Sequence, residues 1–176
     1  MVTSLDGIIA RRDNQVSWFE TTDYFEKGIE LSNQDQEDFL KSIDCYVMGS
    51  HTYEHALELE KTYGWAYGDK PTIVLTTRKL QTNKKNIVFF TGELRTLSDE
   101  WLKPNYQNIW VAGGAALARD FIRLQLADEI RLTILPIILG DGIALFDGTC
   151  SEQALHLKEA TAYKNGAVEL CYVIKK

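Results

Sequence analysis

Two strand-to-helix junctions constrain this chain more than any other feature. Residues 43–48 (IDCYVM) form an apolar run that stops at Gly49, and helical character follows over 50–61. Residues 108–112 (NIWVA) run into Gly113-Gly114, and 115–126 then carry Leu117, Phe121, Ile122 and Leu124 near helical spacing. A continuous apolar run fits a strand covered on both faces, which is the condition of a parallel sheet. Between the junctions, 72–76 (TIVLT) and 86–91 (NIVFFT) read as two further strands, and 93–102 reads as a helix. This is the grammar of an α/β fold built on a mostly parallel sheet.

The C-terminal third changes character. Residues 129–139 (EIRLTILPIIL) form a long β-rich run, and 154–163 and 167–174 flank Asn165-Gly166, a strong hairpin signal. An antiparallel ribbon is therefore expected to close the sheet. Met1-Val2-Thr3 reads as the end of a strand whose beginning would precede residue 1. No repeat or linker interrupts the 176 residues, so one domain is expected over 1–176.

Composition narrows the partners. The chain is 45% hydrophobic with a formal net charge of −6, which is ordinary for a globular protein and lacks the basic footprint of a nucleic-acid binder. No apolar run approaches the ~18 residues of a membrane span, and the N-terminus has no signal-peptide pattern. The cysteines are Cys45, Cys150 and Cys171, an odd number without C-x-x-C spacing. Cys45 and Cys171 lie in apolar runs and read as core residues, and a reducing cytoplasm is the expected compartment.

Three sites are candidates for chemistry. In Val111-Ala112-Gly113-Gly114-Ala115-Ala116, two glycines after a buried strand let backbone approach a ligand, and the amides opening the next helix favour phosphate. A plain tight turn explains the pair equally well. Gly49-Ser50-His51-Thr52 opens the other helix; its amides suit phosphate, and Ser50 or Thr52 equally suits a simple cap. Thr76-Thr77-Arg78-Lys79 follows a third strand with hydroxyls and cations fit for a phosphate monoester, or for a solvated basic turn. Together they place phosphate-compatible groups on neighbouring strand ends, where open α/β sheets bind ligands. His51 and His55 share a helix face but do not form H-E-x-x-H, and no third ligand is evident, so no metal is expected.

Five ordered motifs carry a family resemblance. Ser4-Leu5-Asp6-Gly7-Ile8-Ile9-Ala10 resembles the opening "SLDG-x-IA" of the dihydrofolate-reductase-like superfamily, in the branch of the RibD C-terminal reductase domain and its stand-alone bacterial relatives. IDCYVMGSHTYE (43–54) resembles "D-x-x-x-x-G-x-x-T-Y-E". Gly113-Gly114 matches the glycine pair, Leu126 to Glu129 resembles "L-x-D-E", and PIILGDGIALF (136–146) resembles "P-x-x-L-G-x-G-x-x-L-F". The resemblance implies a mixed, mostly parallel sheet of about eight strands with flanking helices, NADPH as hydride donor (NADH left open) and a homodimer.

Carried over by position, the resemblance puts Ile9 and Ala10 on the loop over the nicotinamide. It puts Gly49, Ser50, His51 and Thr52 with Gly113, Gly114, Ala115 and Ala116 around the pyrophosphate, and Thr76, Thr77 and Arg78 at the adenosine 2′-phosphate. Trp18, followed five residues later by Asp23, matches the substrate-site spacing of dihydrofolate reductases. Asp23 is the candidate acid, for which an apolar pocket would raise the pKa. Locally it reads instead as the cap of a helix near Tyr24, and Trp18 reads equally as a core aromatic. Two positions depart from the family: Ser50 stands where a basic residue is frequent, and Ala112 where riboflavin-pathway reductases carry glutamate. The implied activity is NAD(P)H-dependent reduction of a small polar heterocycle, such as a riboflavin-pathway aminopyrimidine. The alternatives are a pterin or dihydrofolate, or nucleotide binding without turnover.

Overall fold

A computed structural model of the chain describes residues 1–148 and 152–176; Cys150 lies outside the described residues. The chain divides into two compact units, one of Met1–Gln36 with Phe121–Lys176, the other of Glu37–Asp120.

The second unit is built on four strands in the order β5-β4-β3-β6, all parallel: β3 (Cys45–Gly49), β4 (Thr72–Leu75), β5 (Ile87–Phe90) and β6 (Ile109–Gly113). Helix α1 (Asn33–Ser42) leads into β3, and α2 (Ser50–Tyr63) leaves it. The apolar run of β3 is covered on both faces as expected: Cys45, Val47 and Met48 are fully inaccessible and Tyr46 nearly so. Burial pushes the Cys45 thiol up to about 12. Tyr46 and Met48 pack with Ile43, Tyr53, Val74 and Ile87 in one core cluster.

Two side chains fasten the start of β3. The Asp44 carboxylate accepts the N–H groups of Gln107 (3.1 Å) and Asn108 (2.8 Å), which sets where β6 starts. The Lys70 ammonium donates to the carbonyls of Leu40 (2.8 Å), Lys41 (2.7 Å) and Ile43, at and just beyond the C-terminal end of α1. A cation there satisfies orphan carbonyls and opposes the negative end of the helix dipole.

The expected helix over 93–102 is composite. Helix α3 (Leu94–Thr96) passes into a π-helical stretch, Leu97–Leu102, and then into α4 (Lys103–Asn105). The wider winding brings Leu97 and Leu102, five residues apart and both buried, toward one face.

The first unit holds a four-stranded sheet in the order β1-β7-β10-β9: β1 (Val2–Ser4), β7 (Glu129–Leu135), β9 (Leu155–Ala162) and β10 (Val168–Ile174). β1 runs parallel to β7, and β10 antiparallel to both β7 and β9. β7 stops before Pro136, which has no N–H to extend a ladder. The Asn165-Gly166 hairpin forms as expected, with Gly166 at φ +78°. A separate two-stranded ribbon pairs β2 (Ile8–Ala10) with β8 (Ile143–Ala144).

The fold is thus mixed α/β with parallel and antiparallel parts. Ten strands occur among the described residues, where the resemblance implied about eight; β2 and β8 have only three and two residues. Helix α5 (Ala115–Arg123) follows β6 and ends short of the expected residue 126. Gln125 takes φ +57°, and the Leu126 N–H returns to the Phe121 carbonyl at 2.8 Å. This closure resembles a Schellman cap, but the left-handed residue is not glycine. No helix among the described residues is long and apolar enough to cross a membrane.

Candidate functional site

The two opening junctions stand side by side in the second unit. β3 and β6 are parallel neighbours, with Met48 opposite Gly113, so their carboxyl ends lie together. An added Cβ on Gly49 would lie 3.9 Å from the Gly114 nitrogen and 4.0 Å from the Gly113 oxygen, and one on Gly114 would lie 3.4 Å from Thr52 Oγ1. The glycines thus leave a narrow gap between the two junctions, bordered by the Thr52 hydroxyl. The peptide between Gly113 and Gly114 is cis. Gly113 has φ +126°, a backbone state that side-chain-bearing residues rarely adopt, whereas Gly49 has φ −78° and ψ 161°, open to any residue.

Each junction opens a helix. Gly49 caps α2 without a side-chain hydrogen bond. The Gly114 carbonyl accepts the Ala118 N–H at 3.1 Å, which starts α5. The amides of Ser50, His51 and Thr52, and those of Ala115 and Ala116, lie in first turns, where no intrahelical acceptor is available. Such amides, at the positive ends of helix dipoles, suit phosphate oxygens.

The third candidate joins them through β4, which pairs with β3 on its other side, Leu75 opposite Gly49. Thr76 Oγ1 accepts the Arg78 backbone N–H at 3.0 Å, and Thr77 and Arg78 are exposed beyond it. Arg78 Nη2 donates to Glu54 Oε2 at 2.7 Å. That ion pair holds the Glu54 carboxyl below its usual range, and His51 nearby acts in the same direction. Sequence reasoning quoted Glu54 within a motif but gave it no role. The available signal was spacing: Glu54 lies one helical turn after Ser50, on the same face of α2.

Ile9, Ala10, Trp18 and Asp23 belong to the first unit. Ile9 and Ala10 lie in strand β2 rather than in a loop: β8 pairs with Ile8 and Ala10, with a register shift between them. The pairing depends on Gly142, at φ +150°, where a Cβ would overlap the Ala10 carbonyl. Asp6, also unassigned from the sequence, fastens the same region. Its carboxylate accepts the N–H groups of Leu139 (3.1 Å) and Gly140 (2.7 Å), and with the Ser4 hydroxyl these bonds lower its pKa to about 2.

Trp18 packs in a core cluster with Leu135 and Ala167, and its indole Nε1 is buried without a hydrogen-bond partner. Asp23 is exposed and lies against the hairpin turn, where a Cβ on Gly166 would meet its carboxylate. No helix begins near Tyr24, and among the described residues no apolar side chains enclose Asp23, which is exposed. His51 and His55 are in α2, and among the described residues no group of three His, Cys, Asp or Glu is placed to hold a metal.

Three adjacent parallel strand ends, two glycine turns and two helix starts lie together at the carboxyl edge of a parallel sheet, the edge at which open α/β sheets place ligands. The chain belongs to the RibD C-terminal domain family, which it matches over residues 1–168. It is 33% identical over 173 residues to the uncharacterized protein YwjB of Bacillus subtilis (strain 168), covering 98% of this chain and 94% of that one. Its fold is similar to that of a Shewanella sp. PV-4 protein assigned to riboflavin biosynthesis (TM-score 0.82, 21% identity, 100% of this chain and 97% of that one). It is also similar to dihydrofolate reductase from Enterococcus faecalis, solved in complex with NADP(H) (TM-score 0.60, 14% identity, 99% of this chain and 94% of that one). The fold is therefore dihydrofolate-reductase-like.

Proposed function

We propose that this chain is an NADPH-dependent reductase acting on a small polar heterocycle, with a riboflavin-pathway aminopyrimidine of the 5-amino-6-(5-phosphoribosylamino)uracil type as the leading substrate. The observation that carries the reading is the narrow gap between Gly49 and Gly113-Gly114, bordered by the Thr52 hydroxyl and flanked by two helix starts. Such a gap serves a ligand that must bring phosphate close to backbone. Membership of the RibD C-terminal domain family supports a reductase, and the fold shared with an NADP(H)-complexed enzyme supports the donor.

When bound, the reduced nicotinamide supplies a hydride. The chain's own work is binding and orientation. The first-turn amides of α2 and α5 hold phosphate oxygens, and Thr76, Thr77 and Arg78 receive the 2′-phosphate. No strong nucleophile is required, because rate is gained by holding reactants in register and excluding water. Asp23 is the proposed proton donor to the acceptor, and Trp18 the aromatic that contacts it. The protein is further proposed to act in the cytoplasm and as a homodimer, the latter tested by light scattering of the purified protein.

Titration with NADPH and NADH, read from quenching of the four tryptophans, tests binding. Oxidation of NADPH with the aminopyrimidine, dihydrofolate and related heterocycles tests turnover. The exposure of Asp23 favours one competing reading, dinucleotide binding without catalysis. Binding without oxidation of NADPH by any acceptor would establish that alternative, and a fully active Asp23→Asn variant would remove Asp23 from the mechanism.

A further inference from the structure

We propose that Glu54 is a positioning residue that sets the preference between phosphorylated and unphosphorylated dinucleotides, by holding the Arg78 guanidinium in an ion pair that a 2′-phosphate must break. The inference rests on the dinucleotide reading of the second unit and deepens it.

Arg78 lies just past the carboxyl end of β4, beside the gap at Gly49. Its main-chain N–H donates to the Thr76 hydroxyl, and its guanidinium pairs with Glu54 at 2.7 Å. The two side chains are 45% and 42% exposed, so water already competes for both partners and the pair opens readily. Opening it does not remove the carboxylate. Glu54 is anchored by α2, and its charge stays close to any dianion seated on Arg78. The first turn of α2 carries Ser50 where a second fixed cation would offset that charge.

A ligand with a 2′-phosphate therefore meets an occupied cation and a neighbouring anion. A ligand with a free 2′-hydroxyl meets neither penalty. Arginine has further N–H donors to share, but the repulsion between carboxylate and phosphate persists however they are divided. The result is a site in which NADPH loses much of the advantage its extra phosphate would otherwise give. The like-charge term is screened by salt, so the discrimination depends on ionic strength.

The test compares wild type with Glu54→Gln, a substitution of equal size at a half-exposed position, for binding of NADPH, NADH, 2′,5′-ADP and ADP. The expected result is tighter NADPH and 2′,5′-ADP binding, on the order of tenfold at low salt. NADH and ADP are expected to stay within about twofold, and the NADPH gain to shrink as salt is raised. In an Arg78→Ala background, Glu54→Gln is expected to leave a smaller gain, because only the direct repulsion remains. Unchanged or weaker NADPH binding by Glu54→Gln, with NADH unaffected, overturns the inference and makes Glu54 an orienting partner of Arg78 instead. Equal changes for NADPH and NADH overturn it as a merely structural effect. Failure of wild type and variant alike to bind either dinucleotide overturns the underlying reading as well, and that result is distinct from the first two.

Discussion

Substituting Gly49 by alanine separates a glycine kept for its backbone from one kept for space. The backbone at Gly49 (φ −78°, ψ 161°) is open to alanine, and the new methyl would touch nothing closer than 3.9 Å. Alanine at such a site narrows the unfolded ensemble and should stabilise the chain by about 0.4–1 kcal/mol. For a chain of this size that raises the melting temperature by about 1–4 °C. The same methyl stands in the gap between the two glycine turns. A phosphate oxygen needs about 2.9 Å to an amide nitrogen, and a methyl at the mouth of the gap displaces it beyond that. Losing one charge-assisted hydrogen bond costs about 1.5–3 kcal/mol, or about 10- to 150-fold in affinity. Calorimetric melting and NADPH titration of wild type and Gly49→Ala measure both effects. A variant that is as stable as wild type or more so, and binds NADPH within about twofold of wild type, would refute the role given to the gap.

Three further outcomes follow from the framework around the site. The Asp6 carboxyl, lowered from the ordinary 3.8 to about 2, contributes stability that is fully present above about pH 4 and is lost as pH falls toward 2. Urea unfolding across that window should show a shallower loss for Asp6→Asn than for wild type, and identical slopes would contradict the assignment. Lys70→Met leaves the carbonyls of Leu40, Lys41 and Ile43 without their cation and should cost about 1–2 kcal/mol in urea unfolding, with no change in dinucleotide affinity. Gly142→Ala combines an unfavourable φ with overlap of the Ala10 carbonyl, and should destabilise by about 2–3 kcal/mol in the same assay.

The parallel half of the fold was legible because its signals are local. The runs at 43–48, 72–76, 86–91 and 108–112 are short, apolar and ended by glycine or polar residues, and all four became strands. The ends of helices were less legible. α5 closes through Gln125 in a left-handed conformation, and glutamine carries no propensity that announces this. The π-helical turn at Leu97–Leu102 follows from burying two leucines five residues apart, a tertiary requirement absent from the local pattern.

At the candidate site, sequence order gave the glycine turns but not their partners. Asp6 meets Leu139 and Gly140 from the far end of the chain, and Glu54 meets Arg78 across a helix and a strand. Such pairings depend on register, which a single sequence does not display. Asp23 shows the opposite case: spacing singled it out, while its exposure against the hairpin turn was visible only in three dimensions.

Hydrogen–deuterium exchange with and without saturating NADPH tests the central claim most directly. The first-turn amides of α2 and α5 have no intrahelical acceptors, and an anion seated on them must slow their exchange. The account predicts protection over Gly49–Thr52, Thr76–Arg78 and Gly113–Ala116. Protection confined to other segments, or none under conditions where NADPH is bound, would contradict it.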